Sequence, residues 1–545
     1  MHKAIRKQAR KDKKEWLASQ LEHSAQCVSA KDKWEWIKRL KKGYTAKALA
    51  LKDREGKLVN TLKQADTFAE YLRDKHWATP QAEYTGSTEP IHTDTIIDMS
   101  PFTSRELDTA IAKTKSNKAP GPDNLPSEVY KWLNHENRAA LLHIFNQIYS
   151  TGQTPTEWNL ATVVEIYKGK GSHTDPEMYR PISLLSTAYK LFARLLHARL
   201  EAAIDHKLRS TQFGFRAARS TSQPIHIVRR LLEAAERTDT PLYALFLDWE
   251  KAFDKIHPQA LTMALTRFGL PKEFTRVINS IYTQPDFQVR AMNHTSPTAT
   301  AKSGIRQGCP LSPYLFLVVH SAIMHDVETQ LTQQGTKAQP WLHSHNRPLW
   351  DLAYADDTVV LTRTAERCQE ILHLIQATAA QYHLKLNTGK CELIRKNATR
   401  PVHFHPQHST PDPHTEKTPE VKLKKQVTYL GVILTEDTST HNDIRARIAK
   451  AKAGFTALQR FWKNSNINTQ WKLKVFRMCF IPMLTYGLES AAIAPQDHRA
   501  LLHFQAQSLR SILRIKSTYY TEVLNPTATT FTHIQVIQQA KMPTI

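Results

Sequence analysis

Tyr354-Ala355-Asp356-Asp357 lies between two apolar stretches, Leu352-Ala353 before it and Val359-Val360-Leu361 after it. The flanks read as strands and the tetrapeptide as the turn of a hairpin. Adjacent carboxylates in such a run are costly unless a cation holds them, because unpaired buried charge is heavily penalised. A divalent metal is the usual solution: Mg²⁺ takes oxygen ligands, commonly one or two carboxylates plus substrate phosphates. Chance alone supplies this pattern in about one chain in ten of this length, so its surroundings decide its meaning.

A second acidic stretch, Phe246-Leu247-Asp248-Trp249-Glu250-Lys251-Ala252-Phe253-Asp254, stands roughly a hundred residues earlier. Tyr243-Ala244-Leu245-Phe246-Leu247 is a continuous apolar run of strand length that ends at Asp248. If that strand lies beside the hairpin, three carboxylates converge from strand ends. Two metals about 3.5–4 Å apart need such a cluster to clamp both oxygens of an in-line phosphoryl displacement. The other reading makes Asp248 a cap for a helix running through Lys251.

Two further stretches carry polar groups suited to a nucleotide. In Ser303-Gly304-Ile305-Arg306-Gln307-Gly308-Cys309-Pro310, glycines would let the backbone approach a ligand, with the Gln307 amide beside it. An ordinary turn before the apolar helix that starts near Ser312 reads as well. Ile166-Tyr167-Lys168-Gly169-Lys170-Gly171, followed by Tyr179-Arg180-Pro181, offers Lys and Arg to a triphosphate. It is not a P-loop, because the GxxxxGK[ST] spacing is absent. From about 150 to 395, short apolar strands alternate with longer periodic helices. One such helix follows the hairpin, through Cys368, Ile371, Leu372, Ile375, Ala379 and Tyr382. Thr103-Ser104-Arg105-Glu106 has the form of a capping box.

The 545 residues carry a net charge of +24, which points to a polyanionic partner. Residues 1–60 alone hold 17 Lys and Arg against 7 Asp and Glu, a net of +10. Trp16, Trp34 and Trp36 are interleaved with them, so residues 1–80 read as a basic helical extension, contacting nucleic acid or presenting a solvated face. A Thr-, Pro- and Ser-rich stretch over 81–100 reads as a linker. Five scattered cysteines without a CxxC pair suggest neither a zinc module nor a disulfide framework, and fit an intracellular compartment, the nucleus or the cytoplasm. No apolar run approaches the roughly 18 residues of a membrane span, so no membrane partner is expected.

Together these stretches resemble the reverse transcriptases of non-LTR (LINE-type) retrotransposons. The turn Lys118–Asn124, Gln212-Phe213-Gly214-Phe215-Arg216, Leu386-Asn387-Thr388-Gly389-Lys390-Cys391-Glu392, Tyr429-Leu430-Gly431-Val432 and Leu484-Thr485-Tyr486-Gly487-Leu488-Glu489 look like further blocks of that family, in its order. The resemblance covers about residues 100–515 and implies an α+β, right-hand polymerase. Fingers would span 101–235, palm 236–400, an insertion and palm–thumb hairpin 401–435, and a helical thumb and C-terminal region 436–545. The reverse transcriptase core would run over about 149–434.

By the same resemblance Asp248, Asp356 and Asp357 would be catalytic and would hold two Mg²⁺ ions, with Mn²⁺ as a substitute. Lys168 and Arg180 would hold the incoming triphosphate, Gln307 and Phe253 would line the nucleotide pocket, and Lys390 would protonate the departing pyrophosphate. Phe253 would sit beneath the sugar and exclude a 2′-hydroxyl. The implied partners are an RNA template, a DNA primer or target, and dNTPs. No endonuclease is recognisable, so nicking would come from a partner in trans or from a missing segment. Cys391 stands where the family commonly has Thr. His403, His405, His408 and His414 match no family feature, and segment 398–420 reads as an irregular insertion, a metal site being the other reading. Other readings of the whole chain are a maturase-like enzyme, an RNA-dependent RNA polymerase, and a catalytically dead nucleic-acid-binding protein.

Overall fold

The apolar run that ends at Asp248 becomes the middle strand of a sheet. The computed structural model describes residues 51–60, 63–78, 83–292, 294–333, 343–344, 347–406, 419–465, 467–516 and 531–545. It also describes Ala4, Ile5, Gln8, Lys11, Asp12, Glu15, Trp16 and Ser19, all helical. The first strands are β1 (Ala161–Tyr167), β2 (Tyr179–Leu184), β3 (Leu242–Leu247), β4 (Asp286–Ala291), β5 (His294–Thr295) and β6 (Ala299–Thr300). There follow β7 (His343–Ser344), β8 (Arg347–Pro348), β9 (Asp351–Tyr354), β10 (Asp357–Thr362), β11 (Glu392–Lys396), β12 (Lys422–Leu423), β13 (Gln426–Tyr429) and β14 (Val432–Thr435).

The chain divides into two compact units. The larger holds 48–224 and 231–425 and contains two five-stranded sheets. One runs β12-β11-β3-β10-β9. Every residue of β3 is buried, as its continuous apolar sequence requires of a strand covered on both faces. β10 and β11 flank it antiparallel, in the registers Leu247↔Thr358 and Phe246↔Glu392. The helices Ser312–Gln333 and Ala365–Gln381 contribute Leu315, Val319, Ile371 and Ile375 to the core around it. The second sheet runs β2-β1-β4-β5, with β6 also paired to β4. The β1–β2 hairpin holds Lys168 and Arg180 at its loop end, where Tyr167 pairs with Tyr179.

The smaller unit holds 225–230 and 426–545, with the described positions before 48. Its helices His441–Ala457, Thr469–Thr485 and Pro495–Leu513 enclose Phe455, Trp462, Phe476 and Phe480, and β13 and β14 form a hairpin. Asp443, 2% exposed, takes both Arg229 and Arg447, which balances its buried charge. No helix among the described residues is long and apolar enough to cross a membrane.

Several local expectations change. Glu106 and Thr103 form the expected reciprocal cap, but residues 83–100 are no free tether. They contain no helix or strand, yet Arg267 fastens them: its backbone carbonyl accepts from Ile91 N at 2.8 Å and its Nε donates to Glu89 O at 2.7 Å. In the extension, Gln64–Tyr71 is helical and continues through a π-helical turn to His76, whereas 51–60 form a tight turn closed by the Lys52–Leu58 bridge. Trp34 and Trp36 lie outside the described residues. Within 398–420, Val402 and Phe404 are buried and His403 bridges to Glu420, while His408 and His414 lie outside the description.

Arg267 also forms a bidentate pair with Asp326, with the Tyr382 hydroxyl 2.7 Å from the same carboxylate. Both partners are nearly sealed from water, at 2% and 8% side-chain exposure. Asp326→Ala strands the guanidinium in the core, and urea unfolding should show a loss of about 3–5 kcal/mol.

Candidate active site

Tyr354 and Asp357 pair across the β9–β10 hairpin, leaving Ala355 and Asp356 as its two-residue turn. Ala355 adopts φ +57°, a left-handed conformation uncommon for a residue with a β-carbon. The buried Gln212 amide holds it there: Oε1 accepts from Ala355 N at 2.8 Å and Nε2 donates to Ala355 O at 3.2 Å. The backbone joins in, Phe213 N donating to Ala353 O at 2.7 Å and Ala353 N to Thr211 O at 2.9 Å. A Cβ on Gly214 would stand 2.2 Å from Ala355 N, so only glycine lets the chains approach this closely.

Asp248 follows β3 directly, and the Leu247↔Thr358 register brings it to the same sheet end as Asp356 and Asp357. Its carbonyl accepts from Asn387 N at 2.8 Å and its carboxylate lies 3.2 Å from Lys390 Nζ. No helix begins there; a 3₁₀ turn spans Ala252–Asp254 and the next helix starts at Pro258 under a His257 cap. The helix-cap reading of Asp248 is therefore wrong. Behind the acidic turn, Trp249 Nε1 donates to Thr358 Oγ1 at 3.2 Å, and that hydroxyl reaches Asp356 O at 3.3 Å.

Burial raises the Asp356 carboxyl above the ordinary carboxylate range, and the Asp248 charge adds to it. Asp357 is pushed up to about 6, by desolvation first and then by Asp356 and Asp248. Asp357 is itself exposed at the sheet end, where the more buried Asp356 stands beside it.

A cavity of about 450 Å³ opens at this end. Asp248, Asp356, Lys168, Arg180, Phe253, Gln307 and Lys390 all line it; Asp357 does not. Lys251, which sequence reasoning left unassigned, lines it as well. Lys168 donates to Glu177 O at 2.6 Å. Burial holds its ammonium below the ordinary lysine range; Glu177 opposes that effect, and Lys251, Lys390 and Arg180 reinforce it. Five Lys and Arg side chains, Arg306 being the fifth, line one cavity with three carboxylates, Asp254 being the third. Phe253 stacks on Phe316 with centroids 4.7 Å apart and planes at 18°, so its ring is held rigidly.

Gln307 is fixed by protein groups: its Nε2 donates to Asp254 at 2.6 Å and its backbone carbonyl accepts from Ser183 N at 2.8 Å. The glycines around it make room for neighbouring backbone, and Gly308 also lines the cavity. A Cβ on Gly304 would meet Asp254 O at 2.7 Å and one on Gly308 would meet Ser183 O at 2.4 Å. Gln212 carries a role that its local sequence could not reveal, because the segment it grips lies about 140 residues away. The adjacency of an amide and a glycine in Gln212-Phe213-Gly214 was the available signal.

Among the described residues, no three His, Cys, Asp or Glu side chains stand as a ready-made metal cluster. Asp248 and Asp356 nonetheless suit a hard divalent cation, since the charge of one raises the other and Lys390 is the cation at hand. Two carboxylates completed by substrate phosphates is how Mg²⁺ is commonly held.

Residues 167–434 match the family model described as "Reverse transcriptase (RNA-dependent DNA polymerase)". This segment is a reverse transcriptase domain. The chain is 27% identical over 518 residues to the RNA-directed DNA polymerase from mobile element jockey of Drosophila melanogaster, covering 88% of this chain and 52% of that protein. It is 25% identical to the probable RNA-directed DNA polymerase from transposon X-element of the same fly, covering 85% of this chain and 50% of that protein. A Pol polyprotein from the type-1 retrotransposable element R2 of Nasonia vitripennis is 28% identical, covering 51% and 25%. These relatives put the domain with the non-LTR retrotransposon polymerases. The chain spans about half the length of the jockey and X-element proteins. An apo telomerase from Candida tropicalis is similar at 12% identity and a TM-score of 0.36, covering 55% of this chain and 59% of that one. Reverse transcriptases as a family use divalent metal ions.

The raised Asp357 carboxyl has a measurable consequence without metal. Its folded value of about 6 exceeds the ordinary aspartate value of 3.8, so the folded chain binds this proton more tightly than the unfolded chain does. Its contribution to stability is present below about pH 4 and is lost as pH rises through 6. In EDTA, Asp357→Asn should therefore raise the melting temperature at pH 7.5, with the gain shrinking to nothing by pH 4.

Proposed function

We propose that this chain is an RNA-directed DNA polymerase of a non-LTR retrotransposon, extending a DNA primer 3′-hydroxyl along an RNA template. One observation carries the reading: Asp248 and Asp356 share a single cavity with Lys168, Arg180, Lys251 and Lys390. Carboxylates alone would suit a metal, and cations alone a polyanion. Both together suit a metal–triphosphate complex.

In this reading 101–235 act as fingers, 236–400 as palm, 401–435 as insertion and palm–thumb hairpin, and 436–545 as thumb. Asp248 and Asp356 hold two Mg²⁺ ions, or Mn²⁺, with Asp357 contributing at the rim. When bound, the metal pair makes the primer hydroxyl a better nucleophile and offsets the charge building on the triphosphate. Arg180 gives the phosphates a bidentate fork and Lys168 a point charge. Lys390 neutralises Asp248 in the free protein, stands next to the phosphate path, and donates the proton that pyrophosphate takes up on leaving. The stacked Phe253 ring bars a 2′-hydroxyl, selecting dNTPs over rNTPs.

The template–primer duplex is held through its phosphates. Arg445, Lys450 and Lys452 on the helix His441–Ala457, and Lys474 and Arg477 on Thr469–Thr485, are exposed and basic. Affinity for the duplex therefore falls steeply with salt. Strand nicking comes from another segment or from an endonuclease acting in trans, and the nucleus is where this chain meets its DNA target.

Primer extension on poly(rA)/oligo(dT) with Mg²⁺ tests the reading. Asp356→Ala should lower incorporation by roughly a thousandfold, the equivalent of the several kcal/mol a catalytic metal supplies. Equal incorporation by both proteins would overturn the mechanism, and preferential rNTP use by the wild type would favour an RNA polymerase. Phe253→Ala should raise rNTP use relative to dNTP by about tenfold or more in competition assays; an unchanged ratio removes Phe253 as the sugar gate.

A further inference from the structure

Asp254 closes the stretch that supplies Asp248 and lines the same cavity, yet it is only 5% exposed. Three side chains from distant parts of the larger unit face it. Trp77 Nε1 lies 3.1 Å from Oδ1, Gln307 Nε2 lies 2.6 Å from Oδ2, and His76 Nε2 lies 3.1 Å from Oδ2. His76 and Trp77 are themselves buried, and neither His76 nitrogen makes a well-aligned hydrogen bond. The backbones of the three segments are joined too. Lys302 N donates to Trp77 O at 3.2 Å, Ile305 N to Phe253 O at 2.8 Å, and Gly304 N to Ile256 O at 2.8 Å. Ser303 Oγ lies within hydrogen-bond distance of both Asp254 O and Trp77 O.

The chemistry of the donors fixes an orientation. A carboxylate only accepts and an indole N–H only donates, so Asp254 can be satisfied only if Gln307 turns its amide nitrogen toward it. Gln307 Oε1 takes no hydrogen bond among the described residues and is left as the free end of a side chain that lines the cavity. Phosphate oxygens are acceptors, so that end suits a donor on the sugar or base of a nucleotide. Asparagine could not replace Asp254 without loss, because its single oxygen would serve one donor while its own N–H groups faced another.

We propose that Asp254 is a positioning residue for the nucleotide pocket. It sets the Gln307 amide with the carbonyl oxygen toward a deoxynucleoside triphosphate, and His76 and Trp77 hold the carboxylate in place. The segment before the reverse transcriptase domain is thereby part of the pocket. This assignment rests on the polymerase reading. It acts on substrate binding and not on the reacting atoms.

The test is a double-mutant cycle in the full chain, read by single-nucleotide incorporation on a primed RNA template. Asp254→Asn and Gln307→Ala should each raise KM for dNTP about tenfold with kcat within about twofold, and together no more than the larger single effect. Trp77→Phe, which keeps a ring and removes the N–H, should shift KM the same way; it replaces Asp254→Asn in the cycle if that variant does not fold. Titration of a fluorescent dNTP with Ca²⁺ and template–primer repeats the cycle without turnover. Additive effects in either cycle, or a fall in kcat at unchanged KM, would overturn the positioning role. Coupled binding effects in a wild type that incorporates nothing would sustain it and overturn the polymerase reading instead.

Discussion

The antiparallel register of β3 against β10 is the constraint on which the site depends. Pairing Leu247 with Thr358 leaves Asp248 and the Asp356-Asp357 pair no choice but to share one sheet end. A one-residue slip would move the apolar side chains of β10 to the wrong face, so the core that favours this register also enforces the repulsion. The folded chain tolerates the result because the rest of the sheet end is satisfied: Gln212 grips the Ala355 backbone, Thr358 and Trp249 brace the turn from behind, and Lys390 faces Asp248. Charge conflict is confined to the carboxyl groups, where a ligand can relieve it.

The same cavity shows the opposite imbalance a few ångströms away. Burial lowers the proton affinity of Lys168; Glu177 opposes that effect, and Lys251, Lys390 and Arg180 add to it. The free site is thus strained twice, by like negative charges and by like positive ones. In the proposed reading a metal-bound polyphosphate would offset both together. Around this charged centre the uncharged parts are stiff: Phe253 lies on Phe316, and Gln307 is held from two sides. Electrostatics supplies the attraction while packing supplies the shape.

Much of this was legible in the sequence because it is local. The apolar run before Asp248, the Asp pair between strand-like flanks, the capping box at Thr103 and the periodic helix after the hairpin each need only a short window. The resemblance then supplied long-range order, and seven of the eight named site residues line one cavity. What stayed hidden depends on pairings across the chain. Residues 83–100 have the composition of a tether but are fastened by Arg267, which no local pattern discloses. Gly304 and Gly308 read as ligand-facing, and Gly308 does line the cavity, but the stretch of backbone that each makes room for has no local signal. Gln212 and Asp254 read as parts of family blocks, and their work becomes visible only when Ala355 and Gln307 are placed beside them.

The central place of β3 also bears on how the protein is made. Its two neighbours, β10 and β11, come from chain synthesised later, the second of them ending at Lys396. Asp248 thus leaves the ribosome about 150 residues ahead of the last strand that flanks its own. At ordinary rates of synthesis that gap is roughly 7–30 s. Until β10 emerges, a wholly apolar strand has neither edge paired within its sheet, and one edge stays open until β11 follows, an interval in which chaperone capture or pairing with another chain can compete with folding.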